Sequence, residues 1–316
     1  MKKGSRFVPT RRALIFWTLF IGLGAVAGAV AMLADTSGGI MGMDAMLPYF
    51  QKLPFADVLF RDFLFSGIAL LIVNGLTNLT AAVLLILNKK SGVVLGGVFG
   101  VTLMLWICIQ FYMFPPNFMS ALYFFFGLIQ ALTGYAAYVF MNQETFAFNA
   151  SDYRNVGSDP QWLVVYFSRM GYVKKLAYET ADAVGAQIVE LKATEPVDGT
   201  LGFWWCGRFA MHRWDMPIKP VDGIDKYEHV TVCAPIWVFS LAAPVRRFCR
   251  EASGKVKKVD YVLVHHNNSA YESAAREMDE LLGIKHTAFR SVRCRLGRYK
   301  TVKENKTENS GIKSLG

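Results

Sequence analysis

With 316 residues, 53% of them hydrophobic and 14% aromatic, the chain carries more apolar material than one ordinary soluble core needs, and two domains of unlike solvent preference are the natural reading. The formal net charge is +10, from 34 Lys and Arg against 24 Asp and Glu. The five cysteines include no Cys-x-x-Cys pair, so no zinc or iron–sulfur site is signalled and free thiols in a reducing cytoplasm are expected.

The apolar surplus lies in the first half. Four charge-free windows of about twenty residues, the length a helix needs to cross a bilayer, fall at 13–33, 63–87, 92–114 and 118–141. Lys2, Lys3, Arg6, Arg11 and Arg12 precede the first window, and Lys89 and Lys90 occupy the second turn. Lys52 and Arg61 in the first loop are outnumbered, which places both termini on the cytoplasmic side of the cell membrane. The first segment has the alternative of a cleaved signal, but its apolar stretch exceeds a signal core and three more spans follow, which favours an uncleaved anchor.

Within the spans, Gly24 and Gly28, and Gly92, Gly96 and Gly100, recur at four-residue intervals. Such faces are expected to let helix backbones approach closely in a bundle. Asn74, Asn78, Gln110 and Gln130 are the large polar side chains of the spans, whose interiors hold no acid or base; this argues against a proton pump or ion-coupled transporter. Interhelical hydrogen bonds are one role for these amides, and a small polar pocket, for instance for a quinone head group, is another. His212, His229, His265, His266 and His286 all lie in the second half, so a bis-histidine haem cannot carry electrons across the spans.

After the domain of 1–141 the composition turns to Asn, Ser, Asp, Gln and Gly, a linker over 142–160 that closes on Asp159-Pro160. Strands and helices then alternate. Strands are predicted at 162–167, 186–191, 229–234, 259–264 and 286–292, and helices at 174–184, 201–214, 244–251 and 270–282, with Gly185 as a stop signal. Alternation of this kind builds a five-stranded parallel sheet covered by helices, with its ligand site in the loops at the carboxyl ends of the strands. Those loops are 168–173, 235–243 and 265–271. The first opens a helix, where backbone N–H groups favour an anion such as a phosphate. The second carries Trp237, suited to stacking on a planar ring, and the third offers His265, His266, Asn267, Asn268 and Tyr271.

The run Tyr-Phe-Ser-Arg-Met-Gly-Tyr-Val-Lys-Lys-Leu-Ala from Tyr166 resembles the opening strand, phosphate loop and first helix of flavodoxins. Ala-Pro-Ile-Trp-Val-Phe-Ser-Leu-Ala-Ala-Pro-Val-Arg-Arg-Phe from Ala234 resembles their tryptophan-bearing loop and the helix after it. Leu201-Gly-Phe with its Trp-rich continuation is similar to the second helix of flavodoxin-type quinone reductases. The resemblance covers 161–293 and implies bound flavin mononucleotide (FMN). Its phosphate would sit on Ser168, Arg169, Met170, Gly171, Tyr172 and Val173. Its ring would lie near Pro235, Ile236, Trp237, Val238 and Phe239, edged by the third loop. Met170 and Val173 stand where the family usually has hydroxyl residues, so two phosphate hydrogen bonds of about 1.5–3 kcal/mol each are missing, with Lys174 or Lys175 near enough to compensate.

No nucleophile, base and orienter set stands out, so no catalytic residue of the chain's own is assigned and no metal ligand set is either. Residues 285–316 hold nine Lys or Arg against two Glu. From 294 on, a basic disordered tail is expected, either solvated or attracted to anionic lipid, where the family would have a closing helix. Nucleic acid is not indicated as a partner. The expectation is a four-helix transmembrane bundle followed by a flavodoxin-like α/β domain on the cytoplasmic side. Such a protein would pass electrons from a soluble reductant to a partner protein or membrane acceptor, a quinone being one; a flavin-free interaction domain is the alternative.

Overall fold

The structure, a computed structural model, describes residues 5–305. Ser5–Met141 forms one compact unit, and the chain from Asn142 onward forms a second.

In the first unit, α1 (Phe7–Ala34), α2 (Leu64–Ile86), α3 (Lys90–Met113) and α4 (Phe118–Glu144) are each long and apolar enough to cross a membrane. Helix α1 begins ahead of the charge-free window because Arg11 and Arg12 continue the helical turn, their long stems being compatible with an apolar surface. Pro115 and Pro116 cannot extend α3, and Asn117 Oδ1 accepts the Ser120 N–H at 2.8 Å to start α4. The connection before α2 is not a plain loop. It holds two single-turn helices, Leu47–Phe50 and Ala56–Leu59, around the packed rings of Phe50, Phe60, Phe63 and Phe114. Helix α2 is interrupted by a π-helical stretch, Leu71–Leu76.

The glycine faces behave unequally. A Cβ at Gly100 would lie 2.5 Å from Ala131 N, and one at Gly134 would lie 2.3 Å from Gly97 Cα, so α3 and α4 touch backbone to backbone. A Cβ at Gly24 would meet nothing nearer than Tyr123 Oη at 3.9 Å, and one at Gly28 only the tip of Leu70 at 3.3 Å. Gly24 thus leaves space, whereas at Gly28 a side chain would press on Leu70.

The second unit runs β1 (Asp159–Tyr166), α5 (Tyr172–Val184), β2 (Ala186–Glu190), α6 (Gly199–Met211), β3 (His229–Trp237), β4 (Ser240–Leu241), α7 (Ala243–Glu251), β5 (Val259–His265), α8 (Glu272–Leu282), β6 (Ala288–Arg295) and β7 (Arg298–Asn305). The strand order is β2-β1-β3-β5-β6-β7, with the two-residue β4 paired to β3. Five strands are parallel, but β4 and β7 are antiparallel, so the sheet is mixed and seven-stranded and not the purely parallel five-stranded one expected.

The disordered tail expected from 294 also needs correction, since 298–305 is strand; 306–316 lies outside the described residues. Leu296 and Gly297, both with positive φ at 50° and 85°, make the two-residue turn that folds β7 back on β6. Half-buried Tyr299 and Val302 give β7 an inner side, and Tyr299 Oη donates to the Tyr172 carbonyl at 2.8 Å. The polar composition that reads as a tail is that of an edge strand.

One face of the sheet is covered by α5, whose Leu176, Ala177 and Ala181 pack on Val164, Tyr166 and Val262. The other carries α7 and α8, with Val245, Phe248, Ala275 and Met278 against Val165, Val232 and Leu263. The chain reverses its direction of travel across the sheet between β1 and β3, and a crevice opens beyond their carboxyl ends.

Candidate functional site

Strands β1 and β3 pair in register from Trp162↔His229 to Tyr166↔Cys233, which sets their outgoing segments side by side. The third expected loop leaves β5, the next strand over. A cavity of about 750 Å3 opens at the first two segments, lined by Arg169, Cys206, Arg208, His212, Ile236 and Trp237 among others. Helix α6 thus forms a wall of the site, a contribution that the sequence suggested only through its clustered aromatics. The third loop does not line this cavity.

In the first loop, Gly171 holds a left-handed φ of 86°, and its N–H donates to Ser168 Oγ at 3.1 Å. Helix α5 follows with no side-chain cap on its first turn. Arg169 turns away from a phosphate position: Nε donates to the Val197 carbonyl at 2.6 Å and Nη2 to the Gly199 carbonyl at 3.3 Å, tying the loop to the start of α6. Val173 is buried in the core behind the loop, whereas Met170 and Tyr172 stay partly exposed. Both lysines have partners of their own. Lys174 Nζ lies over the Phe148 ring and Lys175 pairs with Glu179. From the linker, Phe146 packs on the loop, close enough that a Cβ on Gly171 would sit 3.2 Å from its ring, and edge-on to Tyr172 at 4.6 Å.

The second segment is a tight hairpin more than a loop. Pro235, Ile236 and Trp237 are still strand, and Trp237 pairs with Ser240 across Val238 and Phe239, whose φ values are 46° and 61°. A β-branched residue at positive φ is a strained choice for such a turn, and it displays Val238 and Phe239 to solvent at 47% and 78% exposure. Trp237 is half-buried, edge-on to Phe167 at 5.3 Å, with its remaining surface on the cavity. Cys206 lines the same cavity, but burial pushes its thiol up to about 11 against the opposing influence of Arg169, so it is no thiolate at neutral pH.

The third loop is held by its own contacts. His265 is buried, with Nε2 2.6 Å from Ser291 Oγ and Nδ1 3.0 Å from the Asn267 carbonyl. The carbonyl can only accept, so Nδ1 carries the proton and Nε2 accepts from the Ser291 hydroxyl. Asn267 Nδ2 donates to Tyr271 Oη at 2.8 Å, Asn268 Oδ1 accepts from Arg293 at 2.6 Å, and His266 is exposed. His265 therefore shapes the loop and does not offer its ring to a ligand.

Burial lowers the His265 pKa below the ordinary imidazole value; the bond to Asn267 opposes this and Arg293 adds to it. The unfolded chain then binds the proton more tightly than the folded one. Stability from this neutral ring is present above the unfolded value of about 6.5 and lost as pH falls through the lowered folded value. In detergent, the melting temperature of the wild-type protein is expected to exceed that of His265→Gln at pH 8, with the gap narrowing steadily below about pH 6. A gap that stays constant over that range would show that the ring does not titrate on unfolding.

Strand order and crevice define a flavodoxin-like α/β domain, joined here to a helical region. No protein-family model matches the chain, and no curated protein matches it. Among solved structures, a flavoprotein from Lactobacillus acidophilus in complex with FMN is 15% identical and matches 42% of this chain and 91% of its own, with a TM-score of 0.36. Its apo form, solved by NMR, gives 14% identity, the same coverages and a TM-score of 0.34. A candidate flavoprotein from Bacteroides eggerthii is 21% identical over 42% of this chain and 85% of its own, with a TM-score of 0.36. These overlays are loose, and the strand order is what defines the fold.

Proposed function

We propose that the α/β domain binds FMN and passes electrons between a soluble reductant and an acceptor in the membrane or on a partner protein, with α1–α4 as its membrane anchor. The observation that carries this reading is the Trp237-walled cavity at the β1/β3 switch point, the place where this strand order receives a flavin. The backbone N–H groups of Met170, Tyr172 and Val173 and the Ser168 hydroxyl would hold the phosphate, the Gly171 N–H being donated to Ser168 Oγ. Trp237 would stack on the ring, with Ile236 and helix α6 as the neighbouring walls. A bound flavin supplies the redox chemistry, and the chain's own part is to bind and orient the ring and to limit water around it. No catalytic side chain is required of the protein. A quinone is one acceptor this arrangement would serve, and anionic lipid is a further partner for the basic residues beyond 294.

Three observations favour a different reading. Phe146 packs on Gly171, the phosphate loop has a single aliphatic hydroxyl, and Arg169 is engaged elsewhere, which suits a flavin-free interaction domain that keeps the fold as scaffold. A visible absorption spectrum of the full-length protein, before and after added FMN, separates the two. Flavin bands are expected, with affinity in Trp237→Ala weaker by about ten-fold or more, the equivalent of ~1–3 kcal/mol of ring stacking. No bound flavin at excess FMN would leave the interaction domain as the reading.

A further inference from the structure

We infer that the helical bundle holds a binding site of its own for a neutral, lipid-soluble molecule with a planar carbonyl-bearing head and an apolar tail, the chemistry of an isoprenoid quinone. The site centres on Asn74. This residue is 1% exposed, and neither its Nδ2 nor its Oδ1 has a hydrogen-bond partner. A buried amide without partners costs about 1–3 kcal/mol, and the hydrocarbon layer supplies no water to relieve it. Nearby amides do not relieve it either. Asn78 Nδ2 donates to the Asn74 backbone carbonyl at 2.9 Å, and Gln130 Nε2 is shared between Asn78 Oδ1 and the Gly96 carbonyl, both at 2.8 Å. Asn74 also sits in the π-helical stretch of α2, a local departure from α-helix that recurs at functional sites.

Asn74 lines a cavity of about 410 Å3, together with Gly24, Gly28, Trp106, Gln110 and Tyr123. Gly24 keeps this space open, and Trp106 and Tyr123 give it aromatic walls. A second cavity of about 390 Å3 shares Met32, Met43, Leu70, Trp106 and Gln110 with the first and is otherwise almost wholly apolar. A head space bearing an amide thus adjoins a tail space bearing methionine, phenylalanine and leucine.

The chemistry of the walls narrows the occupant. Among the described residues no Asp, Glu, Lys, Arg or His lines either cavity, so the phosphate of a phospholipid would be buried without a countercharge. A neutral head fits. The Asn74 amide both donates and accepts, so Nδ2 can serve a ring carbonyl and Oδ1 can serve the hydroxyl of the reduced ring.

Met32 stands at the far end of α1 and Met119 at the near end of α4, so these cavities lie toward the end of the bundle opposite Glu144. The inference therefore concerns binding by the bundle and does not rest on flavin in the α/β domain.

The test is saturable binding of a radiolabelled decyl-substituted benzoquinone to the full-length protein in lipid nanodiscs, counted against empty discs. The wild type is expected to bind above the empty-disc level. Asn74→Leu should bind about ten-fold more weakly, the loss of one hydrogen bond in a dry site, and Gly24→Phe, which fills the head space, should show no saturable binding. Should Gly24→Phe fail to fold, Asn74→Leu alone decides. Wild-type protein that binds no more than empty discs overturns the inference and leaves a trapped water as the partner of Asn74. Variants that bind as tightly as the wild type overturn it as well. Repeating the measurement with and without FMN keeps a failure of flavin binding distinct from a failure of this site.

Discussion

Replacing Arg246 with alanine is expected to destabilise the α/β domain by about 3–5 kcal/mol, the largest single-residue effect on that domain, and to lower its melting temperature by roughly 10 °C. Arg246 is 1% exposed and makes three bonds: to Glu277 on α8 at 2.6 Å, to Ser240 on β4 at 3.0 Å and to the Trp214 carbonyl at 3.3 Å. One planar, permanently charged group thereby joins α7 to α8, to the hairpin that follows Trp237 and to the segment leaving α6. The alanine variant removes the cation and leaves Glu277, itself only 21% exposed, without its countercharge. Arg246→Lys keeps the charge but lacks the fork that reaches three acceptors, and an intermediate loss is expected. Arg246→Met combined with Glu277→Leu should recover most of the stability, because the cost lies in an unpaired buried charge more than in the pair itself. Thermal melting of the purified full-length variants, followed by tryptophan fluorescence, measures all three. If the double variant melts no higher than Arg246→Ala, hydrogen-bonded geometry and not charge pairing is what Arg246 supplies.

In the helical unit the largest effect is expected from Gly134→Leu. The Cβ alone would lie 2.3 Å from Gly97 Cα and 2.7 Å from Gly97 N, contacts with backbone that no rotamer change relieves. Helices α3 and α4 must separate, and the Gly100–Ala131 and Gly127–Met104 approaches open with them. Overpacking of this kind costs about 1–3 kcal/mol when side chains yield, and the upper end or beyond is expected where backbone must move. Gly24→Ala is the matching control, since its new methyl group meets only Tyr123 Oη at 3.9 Å. After heating detergent-solubilised protein, the monodisperse fraction should collapse at a distinctly lower temperature for Gly134→Leu and stay near the wild type for Gly24→Ala. Equal behaviour of the two would mean that close helix approach contributes nothing to bundle stability.

The parts of this fold legible in the sequence are those with a strong local signal. Four long charge-free windows favour apolar helices, and Gly185 stops α5 in the left-handed conformation that glycine adopts freely. What stayed hidden depends on tertiary context. Strand β7 carries Arg298, Lys300 and Lys303, which in isolation look like a solvated tail; the pair Leu296-Gly297 between two runs was the one local hint of a hairpin. The π-helical stretch around Asn74 has no sequence signature at all. At the site, Trp237 and Gly171 could be found from residue type and position. The engagement of Arg169 with Val197 and Gly199, the burial of His265 and the packing of Phe146 on Gly171 follow from where α6, β6 and the linker run, which no short motif records.

If the bundle is membrane-embedded, many copies of the α/β domain share a thin layer, and their mutual concentration is far above that of the same molecules free in a volume. An open sheet edge is hazardous in such crowding, because unpaired strands on neighbouring copies can zip together. Strand β7 answers this hazard: it ends the sheet with exposed Arg298 and Lys300, beside a Lys303 that pairs with Glu272, so that two edges brought together meet mainly as like charges. The strand that stands where a disordered tail was expected thus acts as a guard on how the domains mix in two dimensions, and exchanging its lysines for valines should show itself first as clustering in the membrane, before any change in the fold.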